Sequence, residues 1–209
     1  MPEEPGLFET LYSCRAMRRL RPDPVPRELL LKLIDAANQA PSGSNLQSAR
    51  WIVVQDAEQK AKLAELNRKG VEAYVGPTAG TATALPHQPA AKRQRMLDAV
   101  LWQKDHMHEI PALIVACYEF PAKVTPGDVA RAAGSVWPGV QNLLLAARAL
   151  GLGAAPTTLG LIDRVAVAEA LGLPETVAAY CLVPVGWPMG NFGPLTRLPV
   201  EQTVRWDRW

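Results

Sequence analysis

The chain has 209 residues, of which 48% are hydrophobic, and its formal net charge at pH 7 is +2. This length suffices for one large domain with its own core. The small net charge argues against a partner such as nucleic acid or an anionic membrane surface, because binding to either needs concentrated positive charge. No apolar run approaches the length of a membrane span, and the acidic, proline-rich start is unlike a signal peptide. We expect a single domain over residues 1–209.

Apolar spacing predicts helices and strands in alternation along the chain. In residues 7–12 the apolar side chains fall on one stripe, and Gly70 is expected to end the third helix. Residues 112–118 are continuously apolar, which indicates a central strand covered on both faces. Residues 135–150 have little polar surface and should form the buried central helix. The predicted helices cover residues 7–12, 27–39, 57–69, 90–108, 135–150 and 163–171, and the predicted strands cover residues 51–54, 112–118 and 178–187.

Glycines and prolines make residues 74–90 the least regular part of the chain, and they lie within a longer insert at residues 70–110. Long irregular segments in compact domains are often functional. We expect a variable insert here that forms a lid or a pocket wall. The alternative is a mobile surface excursion.

A dense group of turn-forming residues connects a predicted helix to a predicted strand at residues 40–51. An ordinary connection of this kind needs only a glycine or a proline. Two hydroxyls and two carboxamides suit a loop that lines a polar ligand, although a plain connection rich in turn residues is the alternative. The loop contains Pro41, Ser42, Gly43, Ser44, Asn45 and Gln47.

Four arginines fall within residues 15–21. Arg15 and Arg18 are three positions apart and would share one face if this segment is helical. Such a pair can bind a phosphate, because guanidinium donors match phosphate oxygens. A solvated basic run is the alternative, and Arg197 is a further cation in the tail.

The chain shows no signature of a nucleophile, a metal site or an acid–base pair. Residues 151–156 begin like a dinucleotide fingerprint, but Pro156 replaces the third glycine and the segment follows a helix. The three cysteines, Cys14, Cys117 and Cys181, have neither metal-ligand nor disulfide spacing, which fits a reducing cytoplasm. What remains is a set of cations, hydroxyls and carboxamides on segments rich in glycine and proline. Such groups suit a protein that holds a cofactor.

Four short motifs follow one another along the chain: residues 15–20 before Pro22-Asp23-Pro24, then residues 40–47, residues 140–147 and residues 193–197. Each motif alone is weak evidence for a family, but four such motifs in this order are a specific signal. In this order they resemble the FMN-dependent nitroreductases, most closely a bacterial subgroup with an Arg-Ala-Met-Arg-Arg-Leu opening. The resemblance extends over nearly the whole chain.

The resemblance implies an α+β, nitroreductase-like fold, with a small central mixed or antiparallel sheet flanked by helices. It also implies an intertwined homodimer with two FMN sites at the interface. Independently, the tail at residues 187–209 is rich in proline and glycine and ends with Trp206 and Trp209. Large aromatic side chains in such a segment suit docking on the partner subunit.

The resemblance further implies roles for individual residues. Arg15 and Arg18 would meet the FMN phosphate and the ring edge, and Arg197 would complete the phosphate site. The 41–47 loop would reach the flavin from the partner subunit, and a backbone N–H of residues 156–159 would face flavin N5. The implied cofactor-binding residues are Arg15, Ala16, Arg18, Pro41, Ser42, Ser44, Asn45, Gln47, Pro156, Thr157, Thr158, Leu159 and Arg197.

The activity that the resemblance implies is that of a cytoplasmic FMN oxidoreductase without catalytic side chains. NAD(P)H would reduce the flavin and leave, and a nitroaromatic, a quinone or a similar small-molecule acceptor would follow in ping-pong order. The alternatives are a non-catalytic FMN-binding or storage protein, and a flavoenzyme of the same fold that dehalogenates or desaturates. The chain departs from the family pattern at Ser48-Ala49, where Pro-Trp is usual, at Leu195, where Lys is common, and at Ala16, where Ser is common.

Overall fold

A small antiparallel sheet organises the structure, a computed structural model that describes residues 5–75 and 84–209. The strands are β1 (Leu20–Arg21), β2 (Ala49–Val54), β3 (Ala112–Glu119), β4 (Gly153–Ala154) and β5 (Val177–Pro188). Their order is β1-β5-β3-β2, and β4 pairs with the end of β5. Every pairing between these strands is antiparallel. The predicted α+β class and antiparallel sheet are confirmed.

Seven α-helices flank this sheet in the described part of the chain. They are α1 (Leu7–Ser13), α2 (Arg27–Asn38), α3 (Ala57–Val75), α4 (Ala90–His106), α5 (Pro126–Ala132), α6 (Trp137–Ala149) and α7 (Arg164–Leu171). Part of the predicted irregular segment, residues 76–83, lies outside the described residues.

The alternation of side chains along β3 divides the core into two layers. Ala112, Ile114 and Ala116 pack on one side of the sheet, in a cluster that includes residues of α2 and α6. Leu113 and Val115 pack on the other side, in a cluster that includes residues of α3 and α7. Because helices cover both faces, β3 is continuously apolar, and its predicted central position is confirmed.

The third helix does not end near Gly70, as its glycine suggested, but continues to Val75. Gly70 is buried within α3, and its backbone packs against the carbonyl oxygen of Leu159. Close approach, and not helix termination, therefore explains this glycine. The longer helix carries Val71, Tyr74 and Val75 to the edge of a groove.

Two short helices differ in how well the sequence predicts them. The predicted helix α1 is present, and Leu7, Phe8 and Tyr12 of its apolar stripe are exposed in the single chain. Helix α5 has no clear apolar periodicity and was not predicted. It begins with a capping box between Thr125 and Asp128, in which each side chain bonds the backbone of the other residue.

Candidate functional site

A groove of about 740 Å³ lies between α3, α4 and residues 156–159. This volume is in the range of sites for drug-sized ligands and cofactors. Apolar side chains of α3 and α4 form much of its wall, and Arg18, Asn67, Gln103 and Thr157 add polar groups. No carboxylate lies among the described residues that line it. The groove is therefore suited to a ligand that is neutral or anionic.

Backbone pairing and one buried side chain hold the 156–159 segment in place. Thr157 exchanges two backbone hydrogen bonds with Leu182 of β5, with N···O distances of 2.8 and 2.9 Å. The Thr157 hydroxyl also donates to Asn67 Oδ1 at 3.1 Å, and Asn67 is only 2% exposed. A buried hydrogen bond of this kind is costly to break, so it fixes the segment against α3.

Only one backbone donor of this segment is free for a ligand. Pro156 has no N–H, the N–H of Thr157 donates to Leu182, and that of Leu159 donates to the Thr157 hydroxyl at 3.3 Å. The N–H of Thr158 donates to no atom of the described residues, and Thr158 itself is exposed. The segment therefore presents the Thr158 N–H to its surroundings.

Residues 14–19 belong to no helix, so Arg15 and Arg18 do not share a helix face. Helix α1 ends before them because Cys14 adopts an extended conformation. The N–H of Met17 then donates to the Ala154 oxygen at 3.1 Å, which aligns the segment with β4. The arginines thus lie on a non-helical segment between α1 and β1.

Arg15 and Arg18 nevertheless line one pocket, of about 500 Å³, together with Ala16, Arg19 and Arg95. Arg18 also lines the main groove, so it stands where the two cavities meet. Burial lowers the pKa of Arg18, but a guanidinium stays protonated in a protein. No acidic side chain lies among the described residues lining this second pocket. Its charge suits an anion such as a phosphate.

Arg197 lies beside the start of the arginine segment. Burial raises the pKa of the Cys14 thiol, while the charges of Arg148 and Arg197 lower it, so both guanidinium groups are near Cys14. The tail is held there because the N–H of Leu195 donates to the Tyr12 oxygen at 3.1 Å. Arg197 is exposed, and neither cavity has it among the residues that line it.

The 41–47 loop does not line the groove in this chain. Ser42 and Gln47 line a smaller cavity of about 160 Å³, which also contains Arg50 and Ser135. The loop is held by local hydrogen bonds, including one from the Gln47 N–H to the Ser42 hydroxyl at 3.1 Å.

Three residues of this loop have an unusual backbone. The φ angles of Ser44, Asn45 and Gln47 are 51°, 53° and 51°. Left-handed conformations are unfavourable for residues other than glycine, and they concentrate at functional sites. The loop therefore has a strained backbone, and in the single chain it lines neither the groove nor the arginine pocket.

Asn67 and Gln103 are groove residues that the sequence did not indicate. Each is an isolated carboxamide on a helix with many charged residues, where an exposed position is the ordinary expectation. Asn67 and its partner Thr157 are far apart in sequence, so local patterns contain no sign of the contact.

Within residues 5–75 and 84–209, no group of three or more potential ligand side chains is placed to hold a metal ion. Over the same residues, no helix has the length and apolar content that crossing a bilayer requires.

The comparison with known proteins identifies the family. The model of the nitroreductase family matches residues 12–187. The "NADH dehydrogenase" of Thermus thermophilus is 33% identical over 192 residues, which cover 92% of this chain and 91% of that protein. The chain therefore belongs to the nitroreductase family.

Two iodotyrosine deiodinases are also similar. That of Thermotoga neapolitana is 27% identical over 184 residues, covering 87% of this chain and 88% of the relative. The crystal structure of an oxidised iodotyrosine deiodinase bound to FMN and 3-iodo-L-tyrosine superposes with a TM-score of 0.72 at 24% identity. It covers 98% of this chain and 100% of the deiodinase chain, and it confirms the nitroreductase-like fold.

Proposed function

We propose that the protein is an FMN-dependent oxidoreductase that uses NAD(P)H to reduce nitroaromatic, quinone or similar acceptors. The observation that carries this proposal is the placement of the Arg18 guanidinium and the unbonded Thr158 N–H at one groove without acidic lining residues. The Thermus relative, a NADH dehydrogenase by name, and the FMN in the deiodinase structure support it. The arginine-rich opening also supports membership of the subgroup with that motif.

The residues present fit FMN. The 740 Å³ groove accepts a tricyclic ring, and the adjacent arginine pocket accepts a phosphate. Arg15 would bind the phosphate with the backbone at Ala16, and Arg197 would approach it from the tail. Arg18 would lie at the ring edge, since it lines both cavities. Residues 156–159 would lie along the ring.

When bound, FMN supplies hydride acceptance and release, and the protein's residues set the conditions for it. Arg18 would place positive charge at the edge of the bound cofactor, which would favour its two-electron reduction. The Thr158 N–H, which no described residue bonds, would be the backbone donor available to the flavin ring. No side chain is assigned as an acid or a base, because solvent exchanges the protons.

We infer that a complete site needs a second copy of the chain. The 41–47 loop has three residues in strained conformations but does not line its own groove. The loop would thus meet the FMN of the partner subunit through Pro41, Ser42, Ser44, Asn45 and Gln47. Apolar side chains exposed on α1 and in the tail provide surface for such a homodimer.

The same fold in two deiodinases makes dehalogenation of an amino acid the second candidate. An amino acid substrate brings an ammonium group, which needs a negative partner when it leaves water. The described lining of the groove contains Arg18 and Arg93 but no carboxylate. The charge of the groove therefore favours an acceptor without an ammonium group.

The test is the absorption spectrum of the purified protein before and after anaerobic addition of NADPH or NADH. We expect a flavin spectrum with about one FMN per chain, rapid bleaching by the nucleotide, and recovery of colour with a quinone. A protein that binds FMN but is not bleached would be a storage protein. Release of iodide from 3-iodotyrosine at a rate comparable to quinone reduction would favour the deiodinase.

The three cysteines Cys14, Cys117 and Cys181 are all free thiols. Free thiols are usual in a reducing compartment. We therefore propose a cytoplasmic location.

A further inference from the structure

A separate cavity of about 580 Å³ lies between α5, α7 and the start of β5, and is called the α5–α7 cavity below. None of its described lining residues lines the flavin groove. The chain itself divides the two, because Leu159 lines the groove and Leu161 lines the α5–α7 cavity. Gly160 between them is buried. The proposed oxidoreductase therefore has no use for this cavity.

The lining of the α5–α7 cavity is apolar apart from two side chains, those of Thr125 and Arg164. Leu161 and Ala179 are buried lining residues, whereas Ala130 is exposed. Contact between water and such a surface is unfavourable, and the volume is in the range of small-molecule sites. The cavity thus has the size and the lining to hold the apolar part of a small molecule.

Arg164 is the polar group that such a molecule would meet. It is exposed, and its Nη1 atom donates to the carbonyl oxygen of Ala179 at 3.3 Å, which holds the guanidinium beside the cavity lining. This bond leaves the other N–H donors of the guanidinium for a ligand. The hydroxyl of Thr125, in contrast, already donates to Asp128 Oδ2 at 2.6 Å. Arg164 therefore offers accessible donors at a fixed place.

The charge of Arg164 is not compensated by a nearby acid. No carboxylate of the described residues forms an ion pair with it. The neighbouring Asp163 instead caps α7 by accepting from the Ala166 N–H at 2.9 Å. Asp128 is paired with Arg131. The α5–α7 cavity therefore combines an apolar lining with one unpaired positive charge, and no acidic side chain is among its described lining residues.

We propose that the α5–α7 cavity binds a small apolar molecule that carries one carboxylate, such as a medium-chain fatty acid. The apolar part would lie against the lining, and Arg164 would bind the carboxylate, because guanidinium donors match the two carboxylate oxygens. A single guanidinium favours a monoanion over a phosphate ester, which carries more charge and more acceptor atoms. The inference involves no covalent or redox step and does not depend on the proposed oxidoreductase activity.

The experiment measures the binding of octanoate and of 1-octanol to the purified protein by calorimetry, with FMN present so that the flavin groove is occupied. The two ligands have the same carbon chain, but only octanoate has a charge for Arg164. Arg164→Gln removes the charge of the site, and Ala130→Leu places a larger side chain at an exposed lining position. Arg131→Gln is the matched control, because Arg131 is exposed on α5 and does not line the cavity. The melting temperature shows that each variant is folded.

We expect the wild type to bind both ligands, and octanoate more tightly. Arg164→Gln should weaken octanoate binding about 10-fold, at the lower end for a charge-assisted hydrogen bond because Arg164 is exposed. The same variant should leave octanol binding unchanged. Ala130→Leu should weaken the binding of both ligands, since its side chain fills space that they would occupy. Arg131→Gln should affect neither.

Several results would overturn the inference. One is a wild type that does not bind octanoate, as when a second copy of the chain covers the cavity. Another is octanoate binding that Arg164→Gln leaves unchanged, or that Arg131→Gln weakens equally, because the acid would then respond to no charge or to surface charge in general. A third is unchanged binding of both ligands in Ala130→Leu, which would place them elsewhere on the protein.

Discussion

The backbone of Gly70 packs against the carbonyl oxygen of Leu159 so closely that no Cβ atom fits between them. Helix α3 and the 156–159 segment are therefore in contact without an intervening side chain. The Asn67–Thr157 hydrogen bond lies one turn away on the same helix. Together these contacts set the position of the Thr158 N–H relative to the groove.

The first prediction concerns this close contact. Gly70→Ala should displace residues 157–160 and lower the free energy of unfolding by about 1–3 kcal/mol, as expected when a packed site is overfilled. Loss of bound FMN should accompany the change, because the Thr158 N–H moves with the segment. Denaturant unfolding and flavin content measure the two effects. Gly134→Ala is the control, since no atom lies within 4 Å of a Cβ built there; equal stability of the two variants would refute the explanation.

The second prediction concerns Arg15. Arg15→Ala removes a charge-assisted contact worth about 1.5–3 kcal/mol, so the Kd for FMN should rise on the order of 10- to 150-fold. Titration of the apoprotein with FMN gives the value directly. Arg27→Ala removes an equal charge from an exposed position on α2 and should have little effect. An unchanged Kd in Arg15→Ala would remove Arg15 from the phosphate site.

The third prediction concerns the tail and the oligomeric state. Trp206 is 82% exposed and Trp209 is fully exposed in the single chain, which is an unusual state for two large aromatic side chains. We expect a dimer in light scattering, and poor stability and flavin retention after deletion of residues 198–209. A monomeric wild type, or a truncated protein that stays folded and yellow, would contradict docking of the tail on a partner.

The fourth prediction concerns the order of the reaction. One groove must accept both NAD(P)H and the acceptor, because the chain has no dinucleotide fingerprint. The first product therefore leaves before the acceptor enters, and double-reciprocal plots against NADPH at several acceptor concentrations should be parallel. Aromatic analogues of the acceptor should compete with NAD(P)H. Intersecting lines would mean that both substrates are bound together.

The fifth prediction concerns alkaline stability. Burial raises the pKa of Cys117 to about 12, and burial followed by the charge of Cys117 raises that of Cys181 to about 12. Between the ordinary value of 9.0 and this value, the unfolded thiol loses its proton while the folded thiol keeps it. Stability contributed by the thiols is therefore complete below pH 9.0 and falls as the pH rises to about 12, by at most about 1.4 kcal/mol per pH unit for each thiol.

The measurement for this fifth prediction is the free energy of unfolding as a function of pH, in wild type and in a Cys117→Ala/Cys181→Ala variant. The difference between the two proteins should be constant below pH 9.0 and should change only above it. If the difference in the free energy of unfolding stays constant into the alkaline range, the raised pKa values of Cys117 and Cys181 are contradicted.

Local signals in the sequence indicated much of the fold, and the reasons are visible in particular residues. β3 was predictable because a strand covered on both faces is apolar at every position. The 41–47 loop was predictable because turn formers and polar groups coincide there. The role of Gly70 was predicted wrongly because a glycine can either end a helix or allow another backbone segment to approach. The sequence alone does not distinguish these roles, since it does not show that Leu159 lies next to Gly70.

The candidate site was harder to predict, because its contacts join distant parts of the chain. Arg15 and Arg18 were chosen by charge and spacing, but local patterns could not decide whether their segment is helical, since the Met17 N–H pairs with the distant Ala154 oxygen. No local sequence pattern indicated Asn67 or Gln103 as groove residues. Their burial depends on how α3, α4 and the 156–159 segment pack together.

The separation of the 41–47 loop from its own groove has a genetic consequence. In a homodimer of the proposed kind, a chain with a defective Arg18 and a chain with a defective Ser42 are damaged in different halves of the site. When both chains are made in one cell, each mixed dimer should contain one site with both defects and one site with none. Two inactive alleles would then complement each other, and activity would recover to about half the wild-type value per mixed dimer if the two sites act independently.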